Sequence, residues 1–239
     1  MNVSVILPTY NEKDNIEELI RALEGCVLST GCAAEIIVVD DNSPDGTAAI
    51  VQSMQAHPGV KLTCYVRTKE RGLATAIRYG IERATGDCLV VMDTDFNHDP
   101  CLIPQMIQEL DHYDVIIGSR YVKNGGMEDR ARNILSGVYN TFLRFFLGMP
   151  TRDNLSGFFA IRKECLQPMN KEVIFTGYGE YFMRLLYAAR RKGYRLHEVP
   201  VFYKLRQHGS SKSQFGHMLH DYTLCALQLR FDPPDLLIE

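Results

Sequence analysis

Short apolar runs and helical patterns alternate through the first half of the chain. "VSVILP" (3–8), "EIIVVD" (35–40), "KLTCYVR" (61–67), "CLVVMD" (88–93) and "VIIGSR" (115–120) have strand length and β-branched composition. Between the first two, Ile16, Leu19, Ile20 and Leu23 recur on one helix face. A shorter helical stretch is expected near 47–56, and Ala74, Ile77, Ile81 and Ala84 mark another helix before the fourth run. Strands apolar on both faces, separated by helices, predict an α/β fold with a mostly parallel central sheet and helices on both faces. Ligands of such sheets sit at the carboxyl ends of strands.

The second half is less regular. Glycines in "KNGGMEDRAR" mark a loop that leads into the apolar segment 134–149. "GFFAIR" (157–162) and "LHEVPVFYK" (196–204) are strand candidates, with Pro200 pointing to an edge or a bulge. "EYFMRLLYAARRKGY" forms a helix closed by Gly193, "GHMLHDYTLCALQLRF" a last helix, and the tail with Pro233 and Pro234 is expected to be loose. Without a repeat or a clean linker, residues 1–230 are expected to form one domain, followed by a tail at 231–239.

Composition narrows the partners. A net charge of −3 argues against a nucleic-acid binder, which needs a basic field. Seven scattered cysteines, none spaced as CxxC, read as reduced thiols of a cytoplasmic protein. The N-terminus lacks a basic leader, and no apolar run reaches the ~18 residues of a membrane span. The chain is therefore expected to be soluble or to rest on a membrane face. Segment 134–149, with Leu135, Val138, Tyr139, Phe142, Phe145, Phe146 and Met149, fits either a buried core helix or a helix lying on a bilayer with Arg144 near headgroups.

Two acidic clusters end apolar strands. In "DTDFNHDP" (93–100), Asp93, Asp95 and Asn97 offer hard oxygen ligands suited to Mg²⁺ or Mn²⁺, with positions left for a diphosphate. Asp99 before Pro100 reads instead as an N-cap with proline at N1. His98 fits a packed, hydrogen-bonded role better than a ligand role. In "VVDDNSPDGT", Asp45 reads as an Asx turn, and Asp41 only partly so.

The order and spacing of "LPTYNE", "VVDDNSPDG", "RTKERGLATAIRYGIERATGD", "MDTDFNHDP" and "GSRY" resemble the family 2 glycosyltransferases, inverting enzymes with the GT-A nucleotide-diphospho-sugar transferase fold. "SGFFAIRKE" and "EVPVFYKLRQHGSSKS" extend the likeness toward the polyprenyl-phosphate branch, which includes dolichol-phosphate mannose synthases. The resemblance implies a nucleotide-sugar-binding half at 1–120 and an acceptor-binding half at 121–230. Pro8, Tyr10, Glu12, Val39 and Asp41 would face the nucleotide, with Arg206 and Lys212 closing over the donor phosphates. Asp93, Asp95 and Asn97 would hold the cation, with Asp95 catalytic. Arg120, Arg132 and Ser136 would hold an acceptor phosphate, Arg120 also being catalytic. Arg130, Arg190 and Arg191 read as solvated surface residues.

A sugar-hydroxyl acceptor requires a carboxylate base, and a phosphate acceptor does not. No later acidic motif matches that base; Glu180 and the weaker Asp153 are the nearest candidates. With that absence favouring a phosphate acceptor, the resemblance implies hexose transfer, with mannose from GDP-mannose favoured, to a dolichyl or undecaprenyl phosphate. The rivals are a UDP-sugar transferase with a carbohydrate acceptor and a non-catalytic sugar-nucleotide-binding membrane subunit. Oligomeric state is left open.

Overall fold

The computed structural model describes residues 2–204 and 215–238. β1 (Asn2–Thr9), α1 (Ile16–Leu28), β2 (Ala33–Asp40), α2 (Thr47–Ser53), β3 (Val60–Val66), α3 (Leu73–Arg83), β4 (Cys88–Val91), α4 (Ile103–Glu109) and β5 (Val115–Ser119) follow the expected alternation. The second half adds β6 (Gly126–Met127), α5 (Arg130–Leu147), β7 (Phe159–Arg162), α6 (Lys171–Ile174) and α7 (Glu180–Arg191). β8 (Leu196–Pro200), β9 (Phe202–Tyr203) and α8 (Phe215–Phe231) complete it.

Seven strands form one sheet in the order β3-β2-β1-β4-β7-β5-β8. Only β7 runs antiparallel to its neighbours β4 and β5. The chain steps from β1 to β2 on one side and returns to β4 on the other. A crevice therefore opens at the carboxyl ends of these three strands, where the order switches. β6 and β9 pair separately beside it.

Strand parity builds a core on each face. Val5, Leu7, Val38 and Val90 pack with Leu19, Leu23 and Met106. Their neighbours Ile6, Ile37, Val39, Leu89 and Val91 turn to the other face, against Ile77 and Leu185. Each such side chain contributes about 1.5–3 kcal/mol when fully buried. Gly80 lets α3 lie directly on β1, since a Cβ there would stand 2.6 Å from Ile6 Cγ2. Pro200 ends the edge strand β8, the position expected of it.

One expectation is overturned and one open alternative is decided. The C-terminal tail is not loose: Leu236 is fully buried, Leu237 bridges Met169, and the Ile238 N–H donates to the Pro168 carbonyl at 2.9 Å. The apolar residues after the prolines provide the anchor that the proline signal hid. Nor is α5 a core helix. It buries Asn140, Leu143 and Leu147 but exposes Ile134, Leu135, Val138, Phe142 and Phe145, the last at 78%. Asn140 turns inward because it bonds the Ser136 carbonyl at 3.0 Å and the Asn154 N–H at 2.7 Å. α8 packs beside α5 through Tyr139–Thr223 and Phe146–Phe231 contacts and exposes Leu224, Leu227 and Phe231. Among the described residues no helix is long and apolar enough to cross a membrane.

Candidate functional site

The crevice begins with a division of labour between two adjacent aspartates. Asp40, fully buried, accepts from the Thr9 hydroxyl at 2.8 Å and from the Ser43 N–H at 2.8 Å, tying the ends of β1 and β2 together. Asp41 points the other way, into a 370 Å³ cavity that Pro8, Tyr10 and Glu12 also line. Its Oδ1 is gripped by Arg67 Nε at 2.7 Å and by Nη2, and its Oδ2 accepts from the Gly72 N–H at 2.7 Å. Arg67 also donates to the Gly72 carbonyl and the Thr75 hydroxyl, joining the end of β3 to the start of α3. Arg71 lies over the Tyr10 ring at 5.4 Å. Asp45 forms the expected turn, accepting from the Thr47 N–H at 3.0 Å.

Val39 is the misplaced member of that set. Its side chain is fully buried beneath α3, because the residue that precedes Asp40 and Asp41 belongs to the covered face of β2. Its side chain cannot contact a nucleotide. The "RTKERG" segment does not by itself single out Arg67, Arg71 and Gly72. Their roles depend on where β3 ends relative to β2, which no local pattern reveals.

The 93–99 loop crosses the middle of the crevice. Asn97 donates to Asp95 from its side-chain amide at 2.8 Å and from its N–H at 3.2 Å, so the two share one side of the loop. Phe96 between them has φ of 59°, a left-handed conformation that a bulky residue rarely adopts, and it packs against the core below. Asp99 caps the following turn by accepting from the Cys101 N–H at 2.9 Å, with Pro100 at its start. His98 is fully buried and hydrogen-bonded, not turned to the crevice.

A second cavity of 290 Å³ adjoins the first, and Leu73, Asp93 and Tyr178 line both. Arg120 and Arg132 line this second cavity with Asn97. Arg120 is buried, and that burial disfavours its charge. The Asp153 carboxylate overrides it, bonding Nε and Nη2 at 2.8 Å each and pushing the guanidinium value up. Arg120 is thus a fixed cation, and Asp153 is its counter-ion. Ser136 sits one turn along α5 from Arg132 but lines neither cavity; its hydroxyl pairs with that of Tyr121. Glu180 folds back to accept from the Tyr178 N–H at 3.2 Å. Asp153 and Glu180 are both buried and absent from the two cavity walls, so neither is placed to act as a base. Arg206 and Lys212 lie outside the described residues.

Residues 4–168 match the family model described as "Glycosyl transferase family 2". The chain belongs to that family. Among curated relatives, this family 2 chain is 38% identical to the dolichol-phosphate mannosyltransferase of Pyrococcus furiosus over 94% of its own length and 64% of that protein. It is 33% identical to the dolichol-phosphate mannosyltransferase of Saccharomyces cerevisiae, covering 87% and 80% of the two chains. The polyprenol monophosphomannose synthase of Mycolicibacterium smegmatis is 32% identical, over 87% and 79%. The chain thus spans less than two thirds of the archaeal relative. A solved glucosyl-3-phosphoglycerate synthase from Mycobacterium tuberculosis, in complex with Mn²⁺, UDP and glucosyl-3-phosphoglycerate, superposes with a TM-score of 0.71. That superposition covers 98% of this chain and 81% of the neighbour at 22% identity, so it speaks for the shared mixed α/β fold alone.

A divalent cation, which the sequence resemblance implies, would meet a partial set of ligands here. Among the described residues no three His, Cys, Asp or Glu side chains converge on one point. The 93–97 loop brings two carboxylates and one amide to the junction of the cavities, an incomplete set of hard oxygen donors. That set fits Mg²⁺ or Mn²⁺ completed by phosphate oxygens and water, and it does not fit a protein-only metal cage.

Proposed function

We propose that this chain is an inverting, metal-dependent transferase that moves a mannosyl group from GDP-mannose to the phosphate of a polyprenyl phosphate. The observation that carries the reading is the junction at Asp93. One side is a cavity with the features of a nucleoside site. The other is a cavity with two arginines and, among the described residues, no lining carboxylate without another role. Its lining carboxylates are Asp93 of the cation loop and Asp129, whose Oδ1 caps α5 by accepting from the Arg132 N–H at 3.0 Å. A phosphate acceptor is already an anion, so orientation and charge stabilisation suffice to deliver its oxygen to the anomeric carbon. The names of the archaeal, yeast and mycobacterial relatives support the acceptor class and the sugar.

In this reading Tyr10, Glu12 and Asp41 orient the nucleoside, with Arg67 and Gly72 holding Asp41. Asp93, Asp95 and Asn97 hold the cation, which when bound supplies Lewis-acid stabilisation of the departing diphosphate. Arg120 and Arg132 neutralise and aim the attacking phosphate, and Asp153 keeps the Arg120 fork rigid. The exposed apolar residues of α5 and α8 lie against the cytoplasmic membrane face, where a long acceptor is delivered.

A parallel acceptor screen tests this reading. Purified protein with Mn²⁺ is given GDP-mannose or UDP-glucose, each with a short polyprenyl phosphate or a free sugar. Mannose transfer to the lipid phosphate is expected; turnover with free sugars alone would replace this reading with the carbohydrate-acceptor rival.

A further inference from the structure

His98 lies buried beneath the crevice and lines neither cavity. Its ring is fully buried and stacks on Phe158 with centroids 4.9 Å apart and planes 12° apart. Phe158 in turn packs closely against Gly118, where a Cβ would stand 2.6 Å from its ring. His98 Nδ1 accepts the Asp93 N–H at 2.8 Å, so that nitrogen carries no proton and Nε2 does. Nε2 then donates to the Tyr203 hydroxyl at 2.7 Å. The Tyr203 hydroxyl in turn donates to the Ser156 carbonyl at 3.2 Å, while its ring sits 4.9 Å from the Arg120 guanidinium carbon.

The geometry points to His98 as a positioning residue that couples the two halves of the site. One imidazole closes the 93–98 loop on itself and fastens it to the Tyr203–Arg120 side. The bond to Asp93 spans five residues, and the three cation-facing side chains lie inside that span. With His98 in place, the donor-phosphate end and the acceptor-phosphate end move as one body. Without it that direct tie between the two loops is lost, and small misplacements between reacting groups are costly. Tyr203 reaches this point from β9, more than a hundred residues along the chain, so the link is tertiary and not a local turn. The inference rests on the cation-site reading above.

The test measures Mn²⁺ affinity by electron paramagnetic resonance titration with MnCl₂ in the presence of GDP, together with the KM for a short polyprenyl phosphate. Tyr203→Phe keeps the ring and removes only the hydroxyl. His98→Asn keeps an acceptor near Nδ1 and loses the reach to Tyr203. Each is expected to weaken Mn²⁺ binding about tenfold and to raise the acceptor KM similarly, in line with the effect of outer groups on metal sites. The double variant should be no weaker than the weaker single one, because both cut the same link. A purely structural role would lower the unfolding temperature in metal-free buffer and leave both binding readouts within twofold. Asp95→Asn separates the two levels. If it abolishes Mn²⁺ binding while Tyr203→Phe leaves it unchanged, the coupling is overturned and the cation site stands. If Asp95→Asn binds Mn²⁺ like the parent, the cation site fails and the coupling fails with it. Should His98→Asn not fold, Tyr203→Phe decides alone.

Discussion

Arg120 and Asp153 meet inside the protein in a two-pronged pair, Nε and Nη2 each 2.8 Å from a carboxylate oxygen. Removing one partner leaves an uncompensated buried charge. Asp153→Asn is therefore expected to lower unfolding stability by about 3–5 kcal/mol, read from the urea midpoint. It should also raise the acceptor KM. If Asp153 were the catalytic base, turnover would vanish with stability intact.

Glu180 is expected to be dispensable for chemistry. Its carboxylate folds onto the Tyr178 N–H and stays off the walls of both cavities. Glu180→Gln should keep kcat within about threefold, whereas loss of a general base costs on the order of 10²–10⁴. Steady-state kinetics with the lipid acceptor separates these outcomes.

In the proposed reading Arg67 acts on the donor through Asp41. A lysine cannot reproduce the fork that grips Asp41 while also reaching Gly72 and Thr75. Arg67→Lys should raise the donor KM about tenfold, equivalent to the ~1.4 kcal/mol of one charge-assisted bond, and change kcat less. A change in kcat alone would contradict this placement.

The outward face of α5 gives a separable prediction. Val138 and Phe145 are 66% and 78% exposed. Replacing both with glutamate should reduce binding to anionic lipid vesicles at least tenfold (roughly 1–2 kcal/mol of lost apolar insertion per residue) in a sedimentation assay. Turnover of a short, water-soluble acceptor should be retained.

Glu35 sets part of the acid limit of stability. Burial raises its carboxyl value, but hydrogen bonds from the Ser4 hydroxyl and the Thr85 N–H and hydroxyl outweigh that and leave it below the ordinary 4.5. A carboxylate whose folded value is depressed contributes stability fully above the unfolded value and loses it as pH falls through the folded one. Melting temperature plotted against pH should therefore fall less steeply below about 4.5 in Glu35→Gln than in the parent. Parallel acid limbs would contradict the assignment.

Much of this arrangement was legible in the residues. Two-residue parity in β1, β2 and β4 follows from apolar runs, and the Asp99–Pro100 cap follows from local backbone chemistry. The placement of Asp41, Asp93 and Asp95 at strand ends follows from the same runs. What escaped depends on distant packing. Val39 was lost to the core because the covering helix decides which face of β2 is sealed. Asp153 became a counter-ion because β5 and the 151–157 loop converge, and Leu236 anchors the tail beside α6. The pairing of His98 with Tyr203 spans both halves of the chain.

The central claim is metal-dependent mannosyl transfer to a lipid phosphate. Its most direct test is product analysis after incubation of the purified protein with labelled GDP-mannose, a short polyprenyl phosphate and Mn²⁺. Label is expected in the organic phase as a β-linked mannosyl phosphodiester, lost on chelation and in Asp95→Asn. Label that stays water-soluble, or reaches the lipid equally well without a divalent cation, would contradict it.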